Sequence, residues 1–453
     1  MKVFKSINPF DQSVIAEYPL MSEERVEDAL VKADLAFQKW KYVSFSQRAD
    51  SFHQLGKKLR EQKEDLSRLI ALEMGKILSE ARAEIEKCAN TCDYYADHGE
   101  EILRDEVIAS EAKKSVVAFE PIGAVFAIMP WNFPFWQVLR AATPTIMAGN
   151  VMLLKHAPNV CGCSLAIEKL FREAGFPEGV FQSLIAGVDI TEKVISHVIV
   201  QGVTLTGSEM AGSSVAALSG KHIKKTVLEL GGSDPIIILD DADLDRAARV
   251  GLQSRMQNAG QSCIAAKRFI VLEKVKEEFV QKLIDGAAKL RQGNPLDETI
   301  TTGPMARIDL AEKLEEQENA SIRAGAEVIA GGMRNGCNFA PTLLNYVKPG
   351  MPAFNEEMFG PVAAIVIAPD EDDAIFLANI NRYGLGASVW TKDLERGERV
   401  ARQIHSGNVF VNSLVRSDPR FPFGGVKKSG YGRELSKYGM HEFVNVKTIF
   451  IDQ

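Results

Sequence analysis

The chain has 453 residues, 46% of them hydrophobic and 25% charged. That is too long for one ordinary core, and the balance excludes a disordered or fibrous chain. Lys plus Arg number 53 against 60 Asp plus Glu, a formal charge of -7 without a local basic patch, so nucleic acid is not an expected partner. No apolar run is long enough to span a bilayer, and the opening MKVFKSINPFDQ lacks the apolar stretch of a secretory signal, so the expected setting is the cytoplasm, with no membrane partner.

In chain order, residues Glu24 to about Glu101 carry helical periodicity, with Leu55, Leu59, Leu66, Leu69 and Ile70 on apolar faces. SVVAFEPIGAVFAI then reads as a pair of extended segments broken at Pro121 and Gly123. From there to Leu230 short apolar strands alternate with helices: IGAVFAI, a helix from about Trp136 to Met147, VMLLK, a helix ending at Gly175, FQSLI, a short helix near Glu192, VIVQGVTLT and KTVLEL. Such alternation predicts a parallel sheet with helical crossovers. A second series, PIIIL, KRFIVLE, VAAIVIA, GASVW and NVFVN with helices between, predicts a second α/β unit. The segment HEFVNVKTIFIDQ has strand character and is free to pair with another element or another subunit.

Six cysteines spread over the chain are too sparse for a disulfide framework and are expected as free thiols. Cys88 and Cys92 lie one helical turn apart, and Cys161 and Cys163 flank a glycine. Neither pair has a further Cys or His group at zinc-like spacing, so no metal is expected.

Ligands of doubly wound sheets sit at the carboxyl ends of strands. VTLTGSEMAG places Gly207 and Ser208 at such a strand-to-helix turn, where free N–H groups and the helix dipole suit a phosphate, although a plain tight turn reads the same way. The G-x-G-x-x-G fingerprint and the P-loop pattern are both absent, which argues against a P-loop nucleotidase but leaves room for a dinucleotide held differently. Lys155 closes the strand VMLLK, where its ammonium could reach ribose hydroxyls or phosphate, or simply be solvated.

Three residues of other segments form a chemical set. Cys263 in NAGQSCIAAKRF stands in a short polar loop between a helix and a strand; alone it would be an inert thiol. Glu229 in LELGG ends a strand beside two glycines, and Asn132 in PWNFP lies between prolines that fix its backbone. Together they supply a nucleophile, a base and an amide donor for a developing oxyanion.

Here the sequence resembles the NAD(P)-dependent aldehyde dehydrogenase superfamily over essentially its whole length, through PWNFP, LTGS, LELGG, GQSC, EEMFGP and PFGGVKKSGYGREL in that order. The resemblance implies an α/β fold with a Rossmann-like cofactor domain (residues 1–102 and 123–229), a catalytic α/β domain (230–430) and oligomerisation strands (103–122 and 440–453), assembled as a homodimer or homotetramer. It places the nucleophile on Cys263, the general base on Glu229 and the oxyanion amide on Asn132, assisted by the Cys263 backbone N–H. It places cofactor contacts on Trp131, Lys155, Gly207, Ser208, the backbone of Leu230, Glu357 and Phe359. Glu229 also resembles the branch that hydrolyses its thioester rather than passing the acyl group to coenzyme A.

In that family the third residue after the strand-end lysine often sorts the cofactors, and here it is Pro158, which neither repels a 2′-phosphate nor adds a donor. The expectation is NAD, with NADP possible. NFPFWQVLR, GQSCIAAKRF and SDPRFPFGG are similar to short bacterial succinate-semialdehyde dehydrogenases. By that likeness Arg140 faces the far carboxylate of the substrate, with Ser417 as a second contact, although Arg140 also reads as a helix-surface residue. The longer relatives place an arginine where this chain has Gln257, so Arg255 or Arg416 would have to substitute. Medium-chain or aromatic aldehydes, with Trp136 and Phe421 shaping a tunnel, are the alternative substrates. A different class of protein, a dinucleotide binder, thiol sensor or cysteine hydrolase pairing Cys263 with His405 or His441, remains a further reading.

Overall fold

The computed structural model describes residues 2–452. Helices Glu23–Trp40, Phe45–Glu61, Lys63–Met74 and Leu78–Ile102 form the helical first part of the chain. Their starts follow from local chemistry. Ser22 caps the first with Glu23 and Glu24 in its opening turn, and Ser44 and Gln47 close a reciprocal capping box on the second. The long helix Leu78–Ile102 buries a stripe that includes Ala81, Glu84, Ile85, Cys88 and Cys92. Both cysteines of its pair are therefore core residues, as are Cys161 and Cys163.

The strands sort into two parallel-rich sheets and three small antiparallel ones. In the six-stranded sheet, Phe181–Ser183, Val151–His156, Ala124–Met129, Val200–Thr206 and Lys225–Glu229 run parallel, and Gly430–Tyr431 pairs antiparallel on the last of them. Val151–His156 is buried along its whole length, as expected of a strand covered by helices on both faces. In the seven-stranded sheet, Thr342–Asn345, Val362–Ala368, Ala266–Leu272, Asp234–Ile238, Gly386–Trp390 and Asn408–Val411 run parallel, and Glu327–Ala330 adds an antiparallel edge. Only residues 230–233 separate the last parallel strand of the first sheet from the first strand of the second.

Three features go beyond the expectations that the pattern of the residues alone supports. Lys114–Pro121 and Ala124–Met129 are not strands of one unit: the first pairs with Val444–Ile451 and Glu106–Val107 in a three-stranded antiparallel sheet, the second lies at the centre of the six-stranded one. An N-terminal hairpin, Val3–Ile7 with Val14–Pro19, has no counterpart in those expectations, because its half-exposed residues show no clean alternation. The chain also returns to the first sheet late, at Gly430–Tyr431, after completing the second. Among the described residues no helix is long and apolar enough to cross a membrane.

Candidate active site

Cys263, Glu229 and Asn132 meet at the seam between the two sheets. Glu229 ends its strand, and two residues after Leu230 the chain passes so close to the thiol loop that a Cβ on Gly232 would lie 2.8 Å from the Cys263 carbonyl oxygen. Asn132 follows the central strand Ala124–Met129, and its Nδ2 donates to the Gln261 carbonyl at 3.0 Å, two residues before Cys263. One amide N–H is thus used to fix the side chain, leaving the second for a ligand. The Cys263 backbone N–H makes no hydrogen bond among the described residues, so it too is available to an oxyanion.

The thiol loop is held by its backbone. Asn258, Ala259 and Gly260 are consecutive left-handed residues, with φ of 56°, 50° and 73°. Two non-glycine residues in that region carry a conformational cost that tertiary contacts must offset. Those contacts are present: both Glu80 carboxylate oxygens accept from Asn258 N–H, Asn258 Nδ2 donates to the Asn132 and Gln261 carbonyls, and Lys267 Nζ donates to the Ser262 and Cys263 carbonyls at 2.8 and 2.7 Å. Gly260 has no substitute, since a Cβ would stand 2.2 Å from the Gly360 carbonyl oxygen.

A second set of residues, not singled out from the sequence, holds the PWNFP turn. Lys76 and Glu84 form an ion pair whose side chains are 0% and 1% exposed. Glu84 Oε1 accepts from the Phe135 and Trp136 N–H groups at 2.9 and 3.0 Å, while Lys76 Nζ donates to the Asn132 carbonyl at 2.9 Å. His156 is held between two carbonyls, Nδ1 lying 3.1 Å from the Met129 oxygen and Nε2 2.9 Å from the Pro134 oxygen, with the Ala157 N–H 2.9 Å from Nδ1. Burial lowers its pKa to about 4, which keeps the ring neutral at pH 7.

Electrostatically the centre is dry. Burial pushes the Cys263 thiol up to about 12, with Arg140 and Lys267 pulling the other way. Glu229 is 2% exposed and neither of its carboxylate oxygens has a hydrogen-bond partner. Burial, and then the neighbouring Glu434, raises its pKa well above the carboxylate range against the pull of Arg140 and Arg433. A carboxyl so placed is a base in waiting, with lone pairs that no protein group occupies.

Arg140 lies where the sequence does not lead one to look. It is 1% exposed, not a helix-surface residue. Its Nε is in ion-pair contact with Glu434 Oε2, without the alignment of a hydrogen bond, and its guanidinium stands 4.7 Å over the Phe423 ring. Nη2 reaches Thr206 Oγ1 at 3.4 Å. Glu434 thus lies against one edge of the guanidinium. Arg255 is also spoken for, fully buried and donating through Nη2 to the Gly260 and Gly360 carbonyls, and Arg416 and Gln257 are exposed. Ser417 is buried and accepts from Lys87 Nζ at 2.7 Å. Trp136 is 3% exposed and Phe421 60% exposed. His405 is exposed, and His441 donates through Nε2 to the Ile102 carbonyl while stacked on Phe119. Among the described residues no histidine is hydrogen-bonded to Cys263, which removes the base that a cysteine hydrolase would need.

The expected cofactor residues fit a dinucleotide on their own geometry. Lys155 ends its strand almost buried, and its ammonium has no hydrogen-bond or ion-pair partner among the described residues. Ser208 caps the helix Glu209–Lys221, accepting from Ala211 N–H and keeping its own O–H proton to donate, while the neighbouring Gly207 is open: a Cβ there would meet only Leu205, at 3.6 Å. Glu357 accepts from Gly232 N–H at 3.1 Å, pairs with Lys267 at 3.4 Å and approaches Gly231 so closely that a Cβ there would lie 2.4 Å from Oε2. Phe359 stands edge-on to Trp131, with ring centroids 5.8 Å apart. Leu230 donates its N–H to the Ser429 carbonyl, leaving its own carbonyl free, and Pro158 is an exposed helix-start residue with no polar group to offer.

Comparison with known proteins agrees with this architecture. Residues 1–449 match the model of the aldehyde dehydrogenase family. The chain is 45% identical to succinate semialdehyde dehydrogenase [NAD(P)+] of Escherichia coli over 451 residues, covering 99% of this chain and 98% of that protein. It is 46% identical over 449 residues to a probable succinate-semialdehyde dehydrogenase [NADP(+)] of Synechocystis, covering 98% and 99%. The crystal structure of succinic semialdehyde dehydrogenase from Streptococcus pyogenes in complex with NADP+ superposes with a TM-score of 0.97 at 36% identity, covering 99% of this chain and 100% of that one. The chain belongs to the aldehyde dehydrogenase family.

Proposed function

We propose that the protein oxidises succinate semialdehyde to succinate with NAD(P)+. The observation that carries this reading is the meeting of a thiol, an unpartnered buried carboxyl and two free N–H donors at one seam, in a chain more than 40% identical to named succinate-semialdehyde dehydrogenases. A bound nicotinamide dinucleotide would supply the hydride acceptor, and Lys155, Ser208, Gly207, Glu357, Phe359, Trp131 and the Leu230 carbonyl would hold it. The chain's residues do the rest. Cys263 loses its S–H proton to a base, for which the neighbouring Glu229 carboxylate has free lone pairs, as its sulfur adds to the aldehyde carbon; the oxygen that becomes negative is met by Asn132 Nδ2–H and the Cys263 N–H, donors already aimed before the charge forms. Loss of hydride to a bound dinucleotide would leave the acyl group as a thioester on Cys263. Glu229 takes a proton from water, and the hydroxide equivalent releases the acid and the thiol.

The six-stranded unit is the cofactor-binding part, the seven-stranded unit the catalytic part, and the three-stranded sheet the oligomerisation part. Exposed Val446, Phe450 and Ile451 on the strand Val444–Ile451 support a homodimer or homotetramer. Six unpaired thiols support a reducing, cytoplasmic setting.

The test is reduction of NAD+ and NADP+ by succinate semialdehyde, butanal and benzaldehyde, followed by absorbance. Succinate semialdehyde should give the highest kcat/KM, and Cys263→Ala should abolish turnover. An active Cys263→Ala enzyme, or a wild-type preference for benzaldehyde, would refute the proposal.

A further inference from the structure

Addition of the thiol needs a sulfur and an amide donor held at a fixed separation, yet Cys263 and Asn132 come from segments more than 120 residues apart in the chain. Both segments are touched from one place, the start of the helix Leu78–Ile102. Lys76, just ahead of that helix, donates to the Asn132 carbonyl at 2.9 Å, and Glu84 accepts from the Phe135 and Trp136 N–H groups. Glu80 stands between those two at helical spacing and reaches the other segment: its Oε1 and Oε2 accept from Asn258 N–H at 3.1 and 3.0 Å. Asn258, 2% exposed, closes the circuit. Its Nδ2 donates to the Asn132 carbonyl at 2.8 Å and to the Gln261 carbonyl at 3.1 Å, the same oxygen that accepts from Asn132 Nδ2 at 3.0 Å. Its backbone, at φ 56° and ψ 38°, relaxes unless it is held.

We propose that Glu80 is a positioning residue for the oxidation: by holding Asn258 it sets the separation of the Cys263 sulfur from the Asn132 amide. One helix start thereby governs both sides of the oxyanion site, with Lys76 and Glu84 fixing the amide and Glu80 fixing the nucleophile loop. What the contact requires is reach rather than charge, since the donor is a neutral N–H. Burial raises the Glu80 pKa to about 7, with Lys76 and the Asn258 N–H opposing the rise and Glu84 adding to it. Acid and carboxylate are therefore both present at neutral pH, and each keeps an oxygen able to accept. A misplacement of about 1 Å between reacting groups costs roughly 100-fold in rate, which is the scale of what this contact protects.

This inference rests on the reaction read above, and the experiment keeps the two apart. Glu80→Gln, Glu80→Asp and Glu80→Leu are compared with wild type for kcat and KM on succinate semialdehyde, and for the rate at which iodoacetamide alkylates Cys263. Glu80→Gln keeps the reach and should hold kcat within about threefold of wild type. Glu80→Asp keeps the charge but falls short of Asn258; it should lose about 30-fold in kcat with KM changed by less than about threefold, as should Glu80→Leu. Alkylation uses the sulfur without the oxyanion donors and should stay within about threefold in all three variants. In an Asn132→Ala background, Glu80→Leu should cost less than about threefold more, because the amide whose distance it set is gone. If Glu80→Leu does not fold, the order of Glu80→Gln and Glu80→Asp decides alone. Glu80→Asp as active as Glu80→Gln, alkylation lost in step with kcat, or losses of Glu80→Leu and Asn132→Ala that multiply in full, each overturns the assignment. A wild-type enzyme that reduces neither NAD+ nor NADP+ with any of the aldehydes instead overturns the reaction itself.

Discussion

Replacing Lys76 by Met tests how the oxyanion amide is positioned. The substitution conserves length and removes one charge of a pair whose side chains are 0% and 1% exposed. Glu84 then remains buried, with Oε1 still accepting from two backbone N–H groups and Oε2 without its counter-ion. Stranding one member of a buried pair costs about 3–5 kcal/mol. The Asn132 carbonyl also loses one of its two donors and keeps Asn258 Nδ2 at 2.8 Å. Urea denaturation followed by tryptophan fluorescence reports the loss, since Trp131 and Trp136 flank the turn. In the double variant Lys76→Met, Glu84→Gln, the amide oxygen can still accept from the Phe135 and Trp136 N–H groups but carries no charge. It should recover at least half of the stability, while kcat stays roughly 10-fold to 100-fold down because Asn132 is less firmly aimed. A single variant that loses less than about 1 kcal/mol, or a double variant whose loss is the sum of the two single losses, refutes the clamp.

Two further substitutions bear on the centre. Glu229→Gln should give one equivalent of reduced cofactor per site in a rapid burst and then stall with an acylated thiol, seen by mass spectrometry; steady turnover near the wild-type rate would remove Glu229 as the base. The same variant carries a stability signature. Glu229 is raised in the folded protein above its unfolded value, so its burial destabilises the fold progressively as pH climbs from the ordinary carboxylate range toward the raised folded pKa, and not at all below that range. Glu229→Gln should thus be more stable than wild type at pH 7 and equal to it near pH 4; the reverse order would contradict the raised pKa. Gly260→Ala, forced toward the Gly360 carbonyl at a φ of 73°, should lose at least about 100-fold in kcat/KM, and a variant within twofold of wild type would show that the loop tolerates displacement.

What the sequence could disclose was governed by periodicity and local punctuation. Strands such as Val151–His156 and Ala266–Leu272 are buried throughout and read as continuous apolar runs. The helix Trp136–Met147 has the bounds its pattern predicts. Pairing is a different matter: nothing within Lys114–Pro121 says that its partner is Val444–Ile451, more than 300 residues away, instead of the strand three residues on. The conspicuous residues of the centre sit in turns, where glycine and proline mark them. Glu84, Lys76, Lys87 and Glu434 escape notice because an isolated charge reads as a solvated face. One signal is present, since Glu84 lies on the apolar stripe between Ala81 and Cys88, and a carboxylate there needs a partner. Arg140 reads as a helix-surface residue in the sequence, and only the fold shows that it is buried against Glu434, more than 290 residues away.

The strand Gly430–Tyr431 has a consequence for biosynthesis. It zips onto the strand that ends in Glu229, and Gly424 stands beside the Glu229 carboxylate, so the dry chamber around the base is closed by chain made some 200 residues later. While a nascent chain is still emerging, that carboxyl faces water as an ordinary acid, and the cofactor half, however well folded, has no tuned base. Competence therefore waits until residues 424–431 have been made, and a truncated product released before that point carries the thiol but not the means to discharge an acyl group from it.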